Sequence, residues 1–457
     1  MMFPSKSDTN LNKAGIALET FFDFGRMIWL LFYHWIMRQI ITITLVFAML
    51  ILWTITSAQE PEQWSRFRGP NGQGISTATG LPTLWSAVEN VAWKTPIPGG
   101  SAWSSPIIWN DHIFLTTTTD GGKNCHLLAL DRKSGTILWN KHVFTQEIRQ
   151  KHPRNSEATS TPVTDGQRVY AVFANAHFVA TDFKGEIIWI NADLDFRSQH
   201  GFATSPILYG DLLITAINPT DGNDGFQTPW DKSYLLALDK NTGKERWRGK
   251  RGMSRIGHST PVVIHVNGKD QILSMAGDVI QGFDPATGEQ IWTVTNRGEP
   301  AVPSPAIGDG LIFATARYST PILGIKPDGK GDVTETHVVW RQNRNSPMTS
   351  SFLYVKPCLY SATESGTFSA FDAATGNILW QDRVEGRLDS SPIYADGKIY
   401  VTSHLGITKV YKPNADPTKP AEAVAVNDIG ETVQATLAVA GKQLFIRTDQ
   451  ALWCIGK

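Results

Sequence analysis

The sequence predicts an all-β fold, an eight-bladed β-propeller of four-stranded antiparallel blades, closed by an N-terminal strand that completes the last blade. Three observations carry this expectation. A short phrase, two Ser/Thr followed by Pro and an apolar run, recurs through the chain at intervals of about 40–56 residues, close to the roughly 40–50 residues of a four-stranded blade. A second phrase, running from Asp through Gly to Trp, follows it in most copies. The last copy has no room for a fourth strand, and an unpaired strand pattern stands upstream of the first.

The first phrase reads Ser104-Ser105-Pro106, Ser160-Thr161-Pro162, Thr204-Ser205-Pro206, Ser259-Thr260-Pro261, Pro303-Ser304-Pro305, Ser350-Ser351-Phe352 and Ser390-Ser391-Pro392. Its degenerate eighth copy is Gln434-Ala435-Thr436. Each copy opens strand A of a repeat.

The second phrase is clearest as Asp131 through Gly135 to Trp139, and Asp239 through Gly243 to Trp247. Asp284 through Gly288 to Trp292, and Asp372 through Gly376 to Trp380, keep the same spacing. Asp182, Gly185 and Trp189 form a shorter copy, and residues 326–339 are inserted before Trp340. The seventh copy has no Trp. This is hairpin chemistry: Asp opens the turn by accepting backbone amides ahead of it, and Gly supplies positive φ at its end. The Trp then lies on strand D. Trp93, Trp139, Trp189, Trp247, Trp292, Trp340 and Trp380 are expected to be structural wedges that dock each blade on the next. In the eighth repeat, strands A to C run from about residue 436 to 456, and Asn90-Val91-Ala92-Trp93-Lys94 supplies strand D. Closure of this kind removes the open edge between first and last blades.

Composition excludes several functions. Formal charge is zero, with 42 Lys+Arg against 42 Asp+Glu, so no basic field marks a nucleic-acid partner. Aromatic residues make up 10% of the chain, which argues against disorder. Three scattered cysteines, Cys125, Cys358 and Cys454, form neither a disulfide framework nor a zinc site, and are expected to be packed thiols. No phosphate-binding loop, zinc-protease helix or nucleophile elbow is present.

Residues 1–58 differ in kind from the rest. The apolar run at 40–55 follows Met37-Arg38-Gln39 and precedes Thr56-Ser57-Ala58, the layout of a signal peptide cleaved before Gln59. Met37 is then a candidate for the true start. The alternative is an uncleaved signal-anchor at residues 27–55, the one route to membrane contact. Either way the body is exported, to the periplasm or beyond. Residues 59–83 form an N-terminal extension, and 84–457 form the propeller.

The Ala-x-Asp-x-x-Thr-Gly-x-x-x-Trp phrase in successive blades resembles the repeat of the pyrroloquinoline quinone (PQQ) family, over about residues 84–457. Trp64-Ser65-Arg66-Phe67-Arg68-Gly69-Pro70-Asn71-Gly72-Gln73-Gly74 is similar to the opening of exported PQQ-like propellers. The family includes quinoprotein dehydrogenases and the non-catalytic, lipid-anchored BamB-like branch. The resemblance therefore implies either a binding or scaffold module of the cell envelope or, alternatively, an oxidoreductase using PQQ and calcium. The chain departs from the dehydrogenases in lacking an adjacent Cys-Cys pair, and from the lipoproteins in lacking an anchoring Cys. No calcium set maps onto it by motif. The oxygen-rich stretches at 218–225 and 328–332 resemble calcium loops only loosely.

In an A-B-C-D meander the D-to-A and B-to-C connections share one face. That face holds the long connections at 119–123, 146–157 and 217–232. Just before the inner strands it carries Arg154 and Glu157, His200, Arg255 and His258, Arg297 and Glu299, Arg344, and Arg387 and Asp389. If they converge on one channel mouth, these arginines would favour an anionic small molecule, an acidic glycan or an envelope protein. If they instead pair with carboxylates such as Glu157 and Asp389, they bridge loops. His404, on the same face, has no partner fixed by spacing. No residue is assigned to catalysis or to a metal.

Overall fold

The computed structural model describes residues 29–30, 32–44, 63–100, 102–220, 228–298, 301–316 and 320–456. The chain divides into two compact units, residues 1–60 and 61–457. In the first, residues 32–44 are helical, and no described helix is long and apolar enough to cross a membrane. The expected cleavage point lies outside the described residues.

The second unit consists of eight blades, each built on four antiparallel strands that pair in chain order. Blade 1 is typical, with strands Ile107–Trp109, His112–Thr119, Asn124–Asp131 and Ile137–Thr145. Its Asp turn is set by chemistry: the Asp131 carboxylate accepts the amide of Ser134 at 2.7 Å, and Gly135 takes φ +73. Blade 8 is the exception in chain order. Its strands Ala438–Ala440, Gln443–Arg447 and Ala451–Ile455 come from the C-terminal end, and Val91–Pro96 pairs on the outside with Trp93 opposite Cys454. Blade 4 carries a fifth strand. Gly331–Asp332, from the inserted segment of blade 5, runs parallel to Gln290–Asn296 and covers that edge.

Apolar clusters fill the seams between blades, and the seven expected tryptophans lie in them. Trp139 packs with residues of blades 1 and 2, Trp189 with blades 2 and 3, and Trp247 with blades 3 and 4. Trp292, Trp340 and Trp380 continue the series, and Trp93 belongs to the cluster joining blades 8 and 1. The turn glycine of the next blade makes room for the ring. A Cβ on Gly135, Gly243, Gly288 or Gly376 would fall 2.5 Å from the indole of Trp93, Trp189, Trp247 or Trp340. The indole N–H then donates to a turn carbonyl: Trp93 to Arg132 at 3.0 Å, Trp139 to Phe183 at 2.8 Å, and Trp189 to Lys240 at 2.9 Å.

Several seams depart from this scheme: among the described residues the Trp247 indole N–H finds no partner, and no turn glycine stands against Trp380. Trp292 faces the inserted segment of blade 5, not a glycine turn, and bonds instead to Gln271 of its own blade at 2.8 Å. Blade 7 has no strand-D Trp. There the extension and the residues just after it supply Leu81 and Trp85, whose ring stacks on Tyr400 at 6.3 Å between centroids.

A salt bridge fastens the closing strand. Lys94 Nζ lies 2.5 Å from Glu431 and over the ring of Trp453, while Thr448 and the Trp453 indole donate to Glu431 at 2.6 and 3.0 Å. Burial opposes the charge on Glu431, but these donors outweigh it and hold its carboxyl below the ordinary glutamate value. A depressed carboxylate stabilises fully above its unfolded value, about 4.3, and this contribution is lost as pH falls through the folded value.

Two predictions follow from the seams. Gly243→Ala should cost about 3 kcal/mol, combining positive φ with a clash against Trp189. Gly310→Ala, with φ +75 and nothing within 4 Å of its Cβ, should cost about 1 kcal/mol. Equal losses in denaturant unfolding would remove the docking role of the glycine. Separately, Glu431→Gln should cost about 1–2 kcal/mol at neutral pH and flatten the fall in Tm below about pH 4. An unchanged acid profile would show that Glu431 does not hold the closure.

Candidate functional site

The second residue of each Ser/Thr phrase stands where an inner strand begins, beside the channel. The amide of Ser105 donates to Thr161 Oγ1 at 2.9 Å, Thr161 to Ser205 Oγ at 3.0 Å, and Ser205 to Thr260 Oγ1 at 3.3 Å. Ser304 donates to Ser351 Oγ at 2.9 Å, Ser351 to Ser391 Oγ at 2.9 Å, and Ser391 to Thr436 Oγ1 at 3.1 Å. Thr436 then donates to Ser105 Oγ at 3.1 Å, which brings the relay back to blade 1. Among the described residues only the step from Thr260 to Ser304 lacks this bond. The relay corrects the register of the eighth phrase: Thr436 holds its second position, so the copy reads Ala435-Thr436-Leu437, not Gln434-Ala435-Thr436. A hydroxyl that accepts can still donate. All eight side chains line one cavity of about 210 Å³.

The extension forms the floor of that cavity. Between Trp64 and Ser76 the chain runs as a strap across the inner strands. It bonds in turn to Ile108 of blade 1, Thr164 of blade 2, Pro261 of blade 4 and Pro305 of blade 5, then to Phe352 of blade 6 and Tyr394 of blade 7. Inner strands are sheet edges with unpaired backbone groups, and the strap satisfies part of that edge. Phe67 faces the cavity.

The mouth is built from D-to-A connections. His152, His200 and His258, entering blades 2, 3 and 4, stand side by side. The first two rings stack at 5.5 Å, and His200 meets His258 edge-on at 6.0 Å. Arg154 Nη2 donates to Asp389 Oδ1 at 2.9 Å, linking the connections that enter blades 2 and 7. Arg387 donates to Asp389 Oδ2 from Nε at 3.1 Å and Nη2 at 2.9 Å. Thr349 Oγ1 adds a bond to Glu364 at 2.9 Å, and burial pushes the Glu364 carboxyl above its ordinary range. Trp103 and Asn155 complete the wall.

The structure thus brings together four of the expected residues, Arg154, His200, His258 and Asp389, with Arg387 behind Asp389. The others lie elsewhere. Glu157 is buried between two side clefts, one between blades 1 and 2 and one between blades 2 and 3, 2.8 Å from Lys151. Arg255 pairs with Asp278 at 2.5 Å and donates to the Gly298 carbonyl at 2.8 Å, so it ties loops together. Arg297 and Arg344 are exposed and do not line the cavity, and Glu299 lies outside the described residues. His404 Nδ1 accepts the Arg387 amide at 2.9 Å. Sequence reasoning missed His152, Trp103, Phe67 and the hydroxyl ring. The signal for the ring in the sequence is the Ser/Thr phrase itself, which opens each inner strand and places a hydroxyl at its start.

The residues of the cavity do not fit a quinone–calcium centre. Calcium takes six to eight oxygen ligands, several of them carboxylates. Among the described residues the one carboxylate in this wall, Asp389, is already shared by two guanidinium groups, which would repel a dication. The Asn155 carbonyl oxygen accepts from Ser156 and Thr159 at 2.9 and 2.5 Å. The calcium-like loops do not help. Most of 218–225 lies outside the described residues, Asp332 caps Thr334 at 2.6 Å, and Asp328 faces His337. Among the described residues no group of three His, Cys, Asp or Glu side chains is placed to hold a metal. The three cysteines are buried free thiols.

The comparisons agree with this architecture. A family model described as outer membrane protein assembly factor BamB matches residues 51–192, 214–331 and 329–417. Outer membrane protein assembly factor BamB of Salmonella typhimurium is 28% identical over 173 residues, 36% of this chain and 36% of that protein. The dehydrogenase subunit of the quinone alcohol dehydrogenase of Gluconobacter oxydans is 22% identical over 84% of this chain and 56% of that one. The chain thus spans about a third to a half of the length of the curated relatives it matches. Among solved structures, BamB from Moraxella catarrhalis superposes with a TM-score of 0.56 at 15% identity, covering 80% of this chain and 97% of that one. Quinohemoprotein alcohol dehydrogenase from Comamonas testosteroni gives 0.65 at 10% identity, over 87% and 81%. With its family model matching more than half of the sequence, the chain belongs to the PQQ-repeat propeller family described as outer membrane protein assembly factor BamB.

Proposed function

We propose that the chain is an exported, non-catalytic binding module of the cell envelope whose blind cavity takes an anionic group at the loop face. That group is a carboxylate or phosphate, borne by a small molecule, an acidic glycan or an envelope protein. The observation that carries this reading is the balance of charge and donors at one site. Eight hydroxyls, three histidines and Arg154 converge on a cavity floored by Phe67, while Asp389, its one lining carboxylate among the described residues, is neutralised by Arg154 and Arg387. Such a wall donates hydrogen bonds and offers little to a cation. The family's description as an outer-membrane assembly factor and the apolar N-terminal segment at 40–55 favour the envelope.

Titration calorimetry with inorganic phosphate, citrate and an oligogalacturonide tests the reading. At least one should bind. Joint Arg154→Ala and His200→Ala changes should then weaken it about tenfold or more with little change in Tm, because both side chains are only partly buried. Asp389→Asn should strengthen binding, since it frees two guanidinium groups for the ligand. Binding that ignores all three changes would place the ligand elsewhere. Quinone absorbance and dye-linked alcohol oxidation after addition of PQQ and calcium would replace the reading with the oxidoreductase one.

A further inference from the structure

The strap carries two arginines that the cavity does not use. Arg66 and Arg68 alternate with Phe67, so Phe67 faces the cavity while the guanidinium groups lie within the floor. Arg68 is fully buried, and Arg66 is 8% exposed. Arg66 Nη2 donates to the Pro261 carbonyl at 3.2 Å, and Arg68 Nη2 donates to the carbonyls of Gln73, at 2.9 Å, and Phe352. Arg66 Nε, Arg68 Nε and Arg68 Nη1 are buried and find no acceptor. The strap glycines let the guanidinium groups lie against backbone: a Cβ on Gly72 would fall 2.6 Å from Arg66 Nη2, and one on Gly74 would fall 3.2 Å from Arg68 Nη2.

Arg154, Arg255 and Arg387 each meet a carboxylate. Among the described residues neither Arg66 nor Arg68 does. Arg251 and Arg447 share this lack, but singly, with Ser274 and Ser104 as their partners. At the strap two like charges are close enough to repel. Burial pulls Arg66 down to about 10, and burial with repulsion from Arg66 pulls Arg68 down to about 9. Both therefore remain cationic at neutral pH. Buried charges persist in proteins when they are neutralised and hydrogen-bonded, and unsatisfied buried donors of this kind mark an ion or water.

We propose that one small inorganic anion of halide size sits between the guanidinium groups of Arg66 and Arg68 and fastens the strap across the floor of the channel. The donor set fixes its class. Arg66 Nε and one edge of Arg68, at Nε or at Nη1, are open to it, while the nearby carbonyls of Pro261, Gln73 and Phe352 already accept the Nη2 hydrogens and would repel the outer oxygens of phosphate or sulfate. A spherical anion needs only donors. This site is separate from the loop-face cavity and does not depend on what that cavity binds.

Crystals grown in bromide test the site directly, read together with melting at constant ionic strength in bromide, chloride or acetate. An anomalous peak should lie within hydrogen-bonding reach of both side chains. Tm should rise in halide by about 2–4 °C, saturate with concentration, and lose this dependence in Arg68→Met. A map showing water in place of bromide, or a wild-type Tm indifferent to halide, would overturn the proposal. So would a bromide peak without any stabilisation, which marks an adventitious ion. If Arg68→Met does not fold, Arg66→Met and the wild-type map decide the matter.

Discussion

The hydrogen bonds that pass from blade to blade around the channel, each from an inner-strand amide to the hydroxyl of the next phrase, are the constraint on which the structure depends. An inner strand is an edge, and its first amide has no partner within its own blade. The neighbouring Ser or Thr supplies one. Because Thr161 accepts from Ser105 and Thr436 closes back on Ser105, the relative height of adjacent blades is fixed at the axis. The same oxygens hold hydrogens that remain available to the cavity. The residues that assemble the ring are thus also the wall of the site, and selection on one acts on the other. Farther out, the tryptophans and turn glycines provide a second belt, apolar where the first is polar.

The N-terminal extension makes this ring a blind cavity. With the residues that follow it, up to Pro96, it floors the channel, fills the seam beside blade 7 with Leu81 and Trp85, and completes blade 8 through Val91–Pro96. Each of these uses groups the repeats leave unsatisfied. Blade 7 has no strand-D tryptophan, blade 8 has no fourth strand of its own, and inner strands expose backbone groups to the channel. The extension answers the irregularities of the repeat.

What was legible in the sequence was what repeats. Asp–Gly–Trp spacing gave the hairpins, and the missing last strand pointed to Trp93 and its neighbours. The degenerate eighth phrase was displaced by one residue, because without its Pro nothing local marks the register; only the bond from Thr436 to Ser105 does. The loop face was legible as a face but not as a site. Arg154 and Asp389 are 235 positions apart, and no local pattern distinguishes their pairing from the exposed positions of Arg297 and Arg344. His152, in Lys151-His152-Pro153, carries no motif at all, and joins His200 and His258 only because three successive connections enter the same mouth.

Hydrogen exchange at the Ser105 amide in Thr161→Val tests the central role of the hydroxyl relay most directly. Valine keeps the shape of threonine and removes the acceptor. The relay requires that protection at Ser105 fall markedly and that the protein lose about 1–3 kcal/mol of stability, the cost of leaving a buried donor unsatisfied. Unchanged protection at Ser105 together with unchanged unfolding would show that the blades hold their register without these bonds.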